Sequence, residues 1–88
     1  INIARGQLVD QAALIAALKD GRLGGAGLDV YEVEPTPPEE WADVPNTVLI
    51  PHLGGATHEA VHAMTVQLVE NLAAFHAGKP LPNPIRDV

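Results

Sequence analysis

Three side chains able to move protons or hold anions stand at separated points of this chain. Arg5 lies in N-I-A-R-G-Q-L-V-D, Glu34 in G-A-G-L-D-V-Y-E-V-E-P and His52 in V-L-I-P-H-L-G-G-A-T. Histidine alone among them titrates near neutral pH without perturbation, so His52 is the natural proton donor and acceptor. A carboxylate beside such a ring favours its protonated form and fixes its orientation, and Glu34 is the candidate. The planar fork of Arg5 could face a carboxylate through two hydrogen bonds. Taken singly, each has a plainer reading: a Pro-His that ends a strand, a solvated loop charge, half of a surface ion pair.

Other residues bear on the same chemistry. Asp29 ends an otherwise apolar run, where an unpaired carboxylate is costly, so it needs a ligand amide or a protein donor. Gly54, Gly55 and Ala56 follow His52 with little bulk, leaving room for a flat ligand, another backbone or a tight turn. Gly24, Gly25 and Gly27 read as packing glycines, and Glu32, Glu39 and Glu40 as solvated charges. There is no G-x-G-x-x-G, so the phosphate turn of a dinucleotide site is not in these residues. His58-Glu59-Ala60-Val61-His62 matches the zinc-peptidase pattern H-E-x-x-H. Thr65 and Leu68 stand where its extended form needs Gly and a third His, and Glu59 has a simpler role in a first helical turn. No metal site is expected.

Composition narrows the function classes. A net charge of −6 and five scattered Lys and Arg in 88 residues oppose binding to phosphate backbones. No apolar run approaches a membrane span, and no signal segment is visible. With no cysteine there is no disulfide or thiolate chemistry, which suits a reducing compartment, and the cytoplasm is the expected location. Aromatics are only 3%, so the core must come from Ala, Leu, Val and Ile, and such a core packs well only with further layers.

The elements that must position these groups follow from local pattern. Ile1-Asn2-Ile3 reads as the end of a buried strand, so the chain is expected to start inside a fold. Asp10 caps a helix with Leu14, Ala17 and Leu18 on one face, ended by Gly21. G-A-G-L-D-V-Y and Asn46–Ile50 read as strands covered on both faces, the second stopped by Pro51. Between them, residues 31 to 45 hold four of the eight prolines and form a long loop in which Trp41 is a lid, a subunit contact or an anchor against the sheet, the anchor being preferred. Thr57 caps a second helix with Val61, Met64, Leu68, Leu72 and Phe75 in one stripe, expected to pack on a part outside this chain. Prolines 80, 82 and 84 then favour an extended strap. The result is an α/β fold with a parallel sheet, in which Arg5, Asp29, Glu34 and His52 all follow strands and can converge on the rim where such sheets bind ligands.

These three segments resemble the NAD-binding domain of the D-isomer-specific 2-hydroxyacid dehydrogenase family, which includes D-3-phosphoglycerate, D-lactate, D-glycerate and glyoxylate/hydroxypyruvate enzymes. The resemblance implies a partial Rossmann-like, doubly wound parallel sheet that is a fragment of a two-domain enzyme. Residues 1 to 57 would be the C-terminal part of the dinucleotide-binding domain, and 58 to 88 a helix and strap returning to the substrate domain. It places the substrate-binding arginine on Arg5, the supporting acid on Glu34 and the acid/base histidine on His52. Cofactor contacts would fall on Ile3, Ala4, Arg5, Asp29, His52, Gly54 and Gly55, with NAD or NADP as cofactor. The implied reaction is hydride transfer between NAD(P)H and C2 of a small 2-oxo acid, of glyoxylate, hydroxypyruvate or phosphoglycerate type. The full-length enzyme would be a homodimer, and the isolated 88 residues inactive. Non-catalytic corepressors with the same scaffold form the alternative class; a zinc peptidase is the remote one.

Overall fold

In the computed structural model, which describes residues 1 to 85, Asp10 does what its type and position predict. Its Oδ1 accepts from Ala13 N at 2.9 Å and starts α1, Gln11–Lys19. Gly21 then takes φ +77°, the left-handed conformation that suits glycine beyond a helix end. Two parallel strands follow, β1 (Ala26–Leu28) and β2 (Thr47–Leu49), in register Ala26↔Thr47, Gly27↔Val48 and Leu28↔Leu49. Asn2 makes a further parallel bridge to Leu28, so β1 runs between the first residues and β2. Parallel neighbours need crossover connections, and α1 supplies one of them.

The ladder is shorter than the apolar runs. It stops where polar geometry takes over: Asp29 turns its carboxylate to a loop, and Ile50 N makes a last bond to Leu28 O at 2.9 Å before Pro51. Leu18, Leu28, Tyr31, Trp41 and Val44 form the core, with Leu14, Ile15 and Ala26 packed against it. Trp41 is buried, meets Tyr31 edge to face at 5.8 Å between centroids, and donates Nε1–H to Thr36 Oγ1 at 3.0 Å. It is therefore an anchor of the loop and not a lid. The loop is irregular apart from one 3-10 turn at Pro38–Glu40.

Covering on both faces is not found. Ile1, Ile3, Val48 and Ile50 are exposed, because within the first unit α1 packs only on the Leu28 side. The grouping of the glycines also needs correction. A side chain on Gly24 would meet open space, and one on Gly27 only ordinary contact, whereas Gly25 lies 3.0 Å from Asn46 O by its would-be Cβ.

The chain divides into two compact units, Ile1–Gly54 and Gly55–Val88. The second is built on α2, His58–His76, whose cap Thr57 accepts Ala60 N on Oγ1 at 3.1 Å and whose first turn holds Glu59. Gly78, at φ +65°, ends it: Lys79 N bonds Ala74 O and Gly78 N bonds Phe75 O. Val61, Met64, Leu68, Leu72 and Phe75 lie along the helix as the spacing predicts, and each is exposed. Asn83 N, in the proline-rich strap, bonds Asn71 Oδ1 at 3.2 Å; residues 86 to 88 of that strap lie outside the described residues. No described helix is long and apolar enough to cross a membrane.

Candidate active site

The loop after β1 turns back within three residues, and this brings Glu34 to the end of β2. Its Oε1 accepts Tyr31 N at 3.0 Å and its Oε2 lies 2.6 Å from His52 Nδ1. Hydrogen bonding by His52, then by Tyr31 N, holds the Glu34 carboxyl below its ordinary range, with smaller help from the charges of His52 and Arg5. Glu34 is thus an anion at neutral pH and can only accept, so Nδ1 of His52 carries a proton. Nε2 is then the nitrogen left for exchange with a ligand.

His52 is held by backbone on both sides. Pro51 leads into a tight turn in which His52 N donates to Ile50 O at 3.1 Å, and His52 itself takes φ +54°, uncommon for a side-chain-bearing residue. Beyond it, Leu53 N and Gly54 N donate to Oδ1 and Oδ2 of Asp29 at 2.7 and 2.8 Å. Asp29 is only 2% exposed, so these two amides supply the partners its burial demands. Gly54 fits the carboxylate closely: a Cβ there would sit 2.7 Å from Asp29 Oδ2.

Arg5 precedes a short 3-10 turn, Gly6–Leu8, and its Nη1 donates to Ala4 O at 2.6 Å. The surface ion pair that a lone arginine invites is not formed among the described residues. Arg5, Gly6, Tyr31, Glu32, Glu34 and His52 border one cleft of about 300 Å³. The Glu34–His52 pair also borders an apolar cavity of about 520 Å³ walled by Tyr31, Trp41, Leu49 and Pro51. The structure therefore brings Arg5, Glu34 and His52 together, with Asp29 and Gly54 behind His52. Ile3 is exposed on the open sheet face, Ala4 N bonds Asn2 Oδ1 at 3.2 Å, and Gly55 begins the second unit.

Four contributors escape a reading of the sequence. Asn2 is buried and bonds the Ala4–Arg5 turn. Tyr31 donates its hydroxyl to Ile50 O at 2.9 Å, and its phenol is pushed up, first by burial and then by the charge of Asp29. Gly6 faces Tyr31 so closely that a Cβ would fall 1.9 Å from the carbonyl oxygen. Gln11 binds Glu32 and Glu40, so these two glutamates tie the start of α1 to the loop and are more than solvated charges. A buried Asn at a strand end and a Gly directly after an Arg were the available signals for two of the four.

His58 and His62 of the H-E-x-x-H match lie in the first turns of α2, and no group of three His, Cys, Asp or Glu among the described residues could hold a metal ion.

Comparison with known proteins identifies the family and the fold. Residues 1–54 match the model of the D-isomer specific 2-hydroxyacid dehydrogenase, NAD binding domain. The chain is 51% identical over 85 residues to hydroxyphenylpyruvate reductase of Plectranthus scutellarioides, covering 97% of this chain and 27% of that protein. It is 52% identical over 83 residues to glyoxylate reductase of Thermococcus litoralis, covering 94% and 25%. A crystal structure of NADPH-dependent glyoxylate/hydroxypyruvate reductase from Sinorhizobium meliloti, in complex with NADP and malonate, superposes with a TM-score of 0.84 at 42% identity, over 96% of this chain and 26% of that one. The chain belongs to the D-isomer-specific 2-hydroxyacid dehydrogenase family, and its parallel sheet is part of a Rossmann-like NAD-binding domain. It spans about a quarter of the length of the relatives it matches.

Proposed function

We propose that this chain supplies the acid/base pair and the substrate-anchoring arginine of an NAD(P)-dependent D-2-hydroxyacid dehydrogenase acting on small 2-oxo acids of the glyoxylate or hydroxypyruvate type. The observation that carries the reading is the 2.6 Å contact between Glu34 Oε2 and His52 Nδ1 at a cleft that also holds Arg5. Residues 1 to 57 would complete the cofactor domain and 58 to 88 return to the substrate domain. The complete protein would be a cytoplasmic homodimer.

Arg5 would hold the substrate carboxylate and draw electron density toward the neighbouring carbonyl. His52 would give its Nε2 proton to the C2 oxygen during reduction, and take it back as a neutral ring during oxidation. Glu34 keeps the ring oriented and balances its charge. The nicotinamide cofactor, when bound, supplies or accepts the hydride at C2. Ile3, Ala4 and Arg5, with Asp29, His52, Gly54 and Gly55, would hold it. The donor set fits such a group: each Asp29 oxygen accepts one amide in the structure, which leaves acceptor capacity for the N–H of a carboxamide.

The test begins with the intact mass of the protein made by its own gene. A two-domain mass licenses assays of NADH and NADPH oxidation with glyoxylate and hydroxypyruvate, and turnover with either is the expected result. A two-domain protein that binds the cofactor yet reduces no 2-oxo acid would overturn the reading in favour of a non-catalytic relative. A mass near the 9.3 kDa of this chain would end it for the chain alone.

A further inference from the structure

Beyond the acid/base pair, the first unit holds two buried polar side chains on neighbouring strand segments, Asn2 and Asp29. Both face backbone. Asn2 Nδ2 donates to Arg5 O at 2.8 Å, and Asn2 Oδ1 accepts Ala4 N at 3.2 Å. One side chain thereby closes the turn from which Arg5 projects. Asp29 accepts the two amides that follow His52 and closes that turn in the same manner. The two residues are also joined directly, since Asp29 N donates to Asn2 O at 3.0 Å.

We infer that Asn2 and Asp29 are a coupled pair of positioning residues, Asn2 setting the anion-binding Arg5 and Asp29 setting His52, with the Asp29 N to Asn2 O bond fixing one turn relative to the other. Simple burial does not account for the arrangement. An apolar residue at either position would fill the space, but it would leave the turn amides without acceptors. The close seat of Gly54 on Asp29 Oδ2 shows that the second turn is shaped around the carboxylate. The positive φ of His52 is a conformation that a loop keeps only when its surroundings enforce it, and here Ile50 O on one side and Asp29 on the other do so.

The inference rests on the catalytic roles proposed for Arg5 and His52, and it makes the two halves separable. In the complete protein at saturating cofactor, Asn2→Ala should raise the KM for the 2-oxo acid about tenfold, the worth of one or two hydrogen bonds, with kcat changed much less. Asp29→Asn keeps the shape but turns an NH2 toward one of two amide donors, and should lower kcat at saturating cofactor about tenfold with a smaller effect on substrate KM. Amide hydrogen exchange gives an independent reading: Asn2→Ala should speed exchange at Ala4 alone, and Asp29→Asn at Leu53 and Gly54. Should Asn2→Ala fail to fold, Asn2→Leu, which fills the space but offers neither an acceptor to Ala4 N nor a donor to Arg5 O, is read the same way. Equal effects of the two variants on KM and kcat, or unchanged exchange at the named amides, would overturn the inference. A wild-type protein without turnover would sink the catalytic reading, while the exchange pattern would still decide whether each side chain holds its own turn.

Discussion

Tyr31 and His52 are tied to each other through opposite oxygens of one carboxylate, the backbone N–H of Tyr31 on Glu34 Oε1 and the ring of His52 on Oε2. Two donors therefore compete for nothing, because a carboxylate offers an acceptor to each. Glutamine offers one. Glu34→Gln should cost the complete enzyme about 10- to 100-fold in kcat for reduction, since one donor then faces an amide NH2 and the ring loses its balancing charge. The active range for reduction should also move to lower pH. Steady-state rates across pH check this, and an unchanged profile would return Glu34 to the status of a loop charge.

His52→Ala should reduce turnover by about 10²- to 10⁴-fold, the range expected for loss of a general acid, while cofactor affinity measured by fluorescence titration falls far less, because the other residues proposed to hold the cofactor remain. Near-normal turnover would remove His52 from the proposed role.

The depressed Glu34 carboxyl also links the fold to pH. A group whose folded pKa lies below its unfolded value stabilises fully above that ordinary value, 4.5 here, and the contribution disappears as pH falls through the lowered folded value. The gap in melting temperature between wild type and Glu34→Gln should therefore be largest near neutrality and close in acid. Tyr31 works in the opposite sense. Its phenol is raised above 10.0, so the fold favours the neutral ring, and that contribution is lost as pH rises through the raised value. The difference between alkaline absorbance titrations of wild type and Tyr31→Phe should place this phenol above an ordinary tyrosine.

Gly6→Ala should destabilise the protein by about 3 kcal/mol or prevent folding, because its Cβ would fall on the Tyr31 carbonyl and backbone must move. Gly21→Ala should cost only about 1 kcal/mol, since its φ of +77° is strained for alanine but nothing lies within 4 Å. Urea denaturation of the two variants separates the effects.

Much of this architecture can be read in the residues. Asp10, Thr57, Gly21 and Gly78 mark helix ends through local chemistry alone, and both helices follow them. Arg5 follows the Asn2 bridge, Glu34 the end of β1 and His52 the end of β2, so topology brings them to one rim. What local pattern could not show depends on contacts between distant segments. Asn2 looks like any polar residue until Arg5 folds back on it, and Gly6 looks like loop flexibility until the Tyr31 carbonyl arrives. Asp29 was legible as a residue in need of partners, but not that those partners are the amides of Leu53 and Gly54. Expected covering of both sheet faces failed for a different reason: a continuous apolar strand records the layers of the whole domain, whatever length of it is at hand.

The absence of any side chain between Gly6 and Tyr31 has a mechanical consequence. Backbone meets backbone there, with no compressible layer to absorb displacement. A push on the Arg5 turn is passed to Tyr31 and, through its N–H, to Glu34 and His52. The floor of the cleft should therefore travel as one stiff plate, and under the proposed function any hinge that admits a ligand must bend elsewhere in the complete protein.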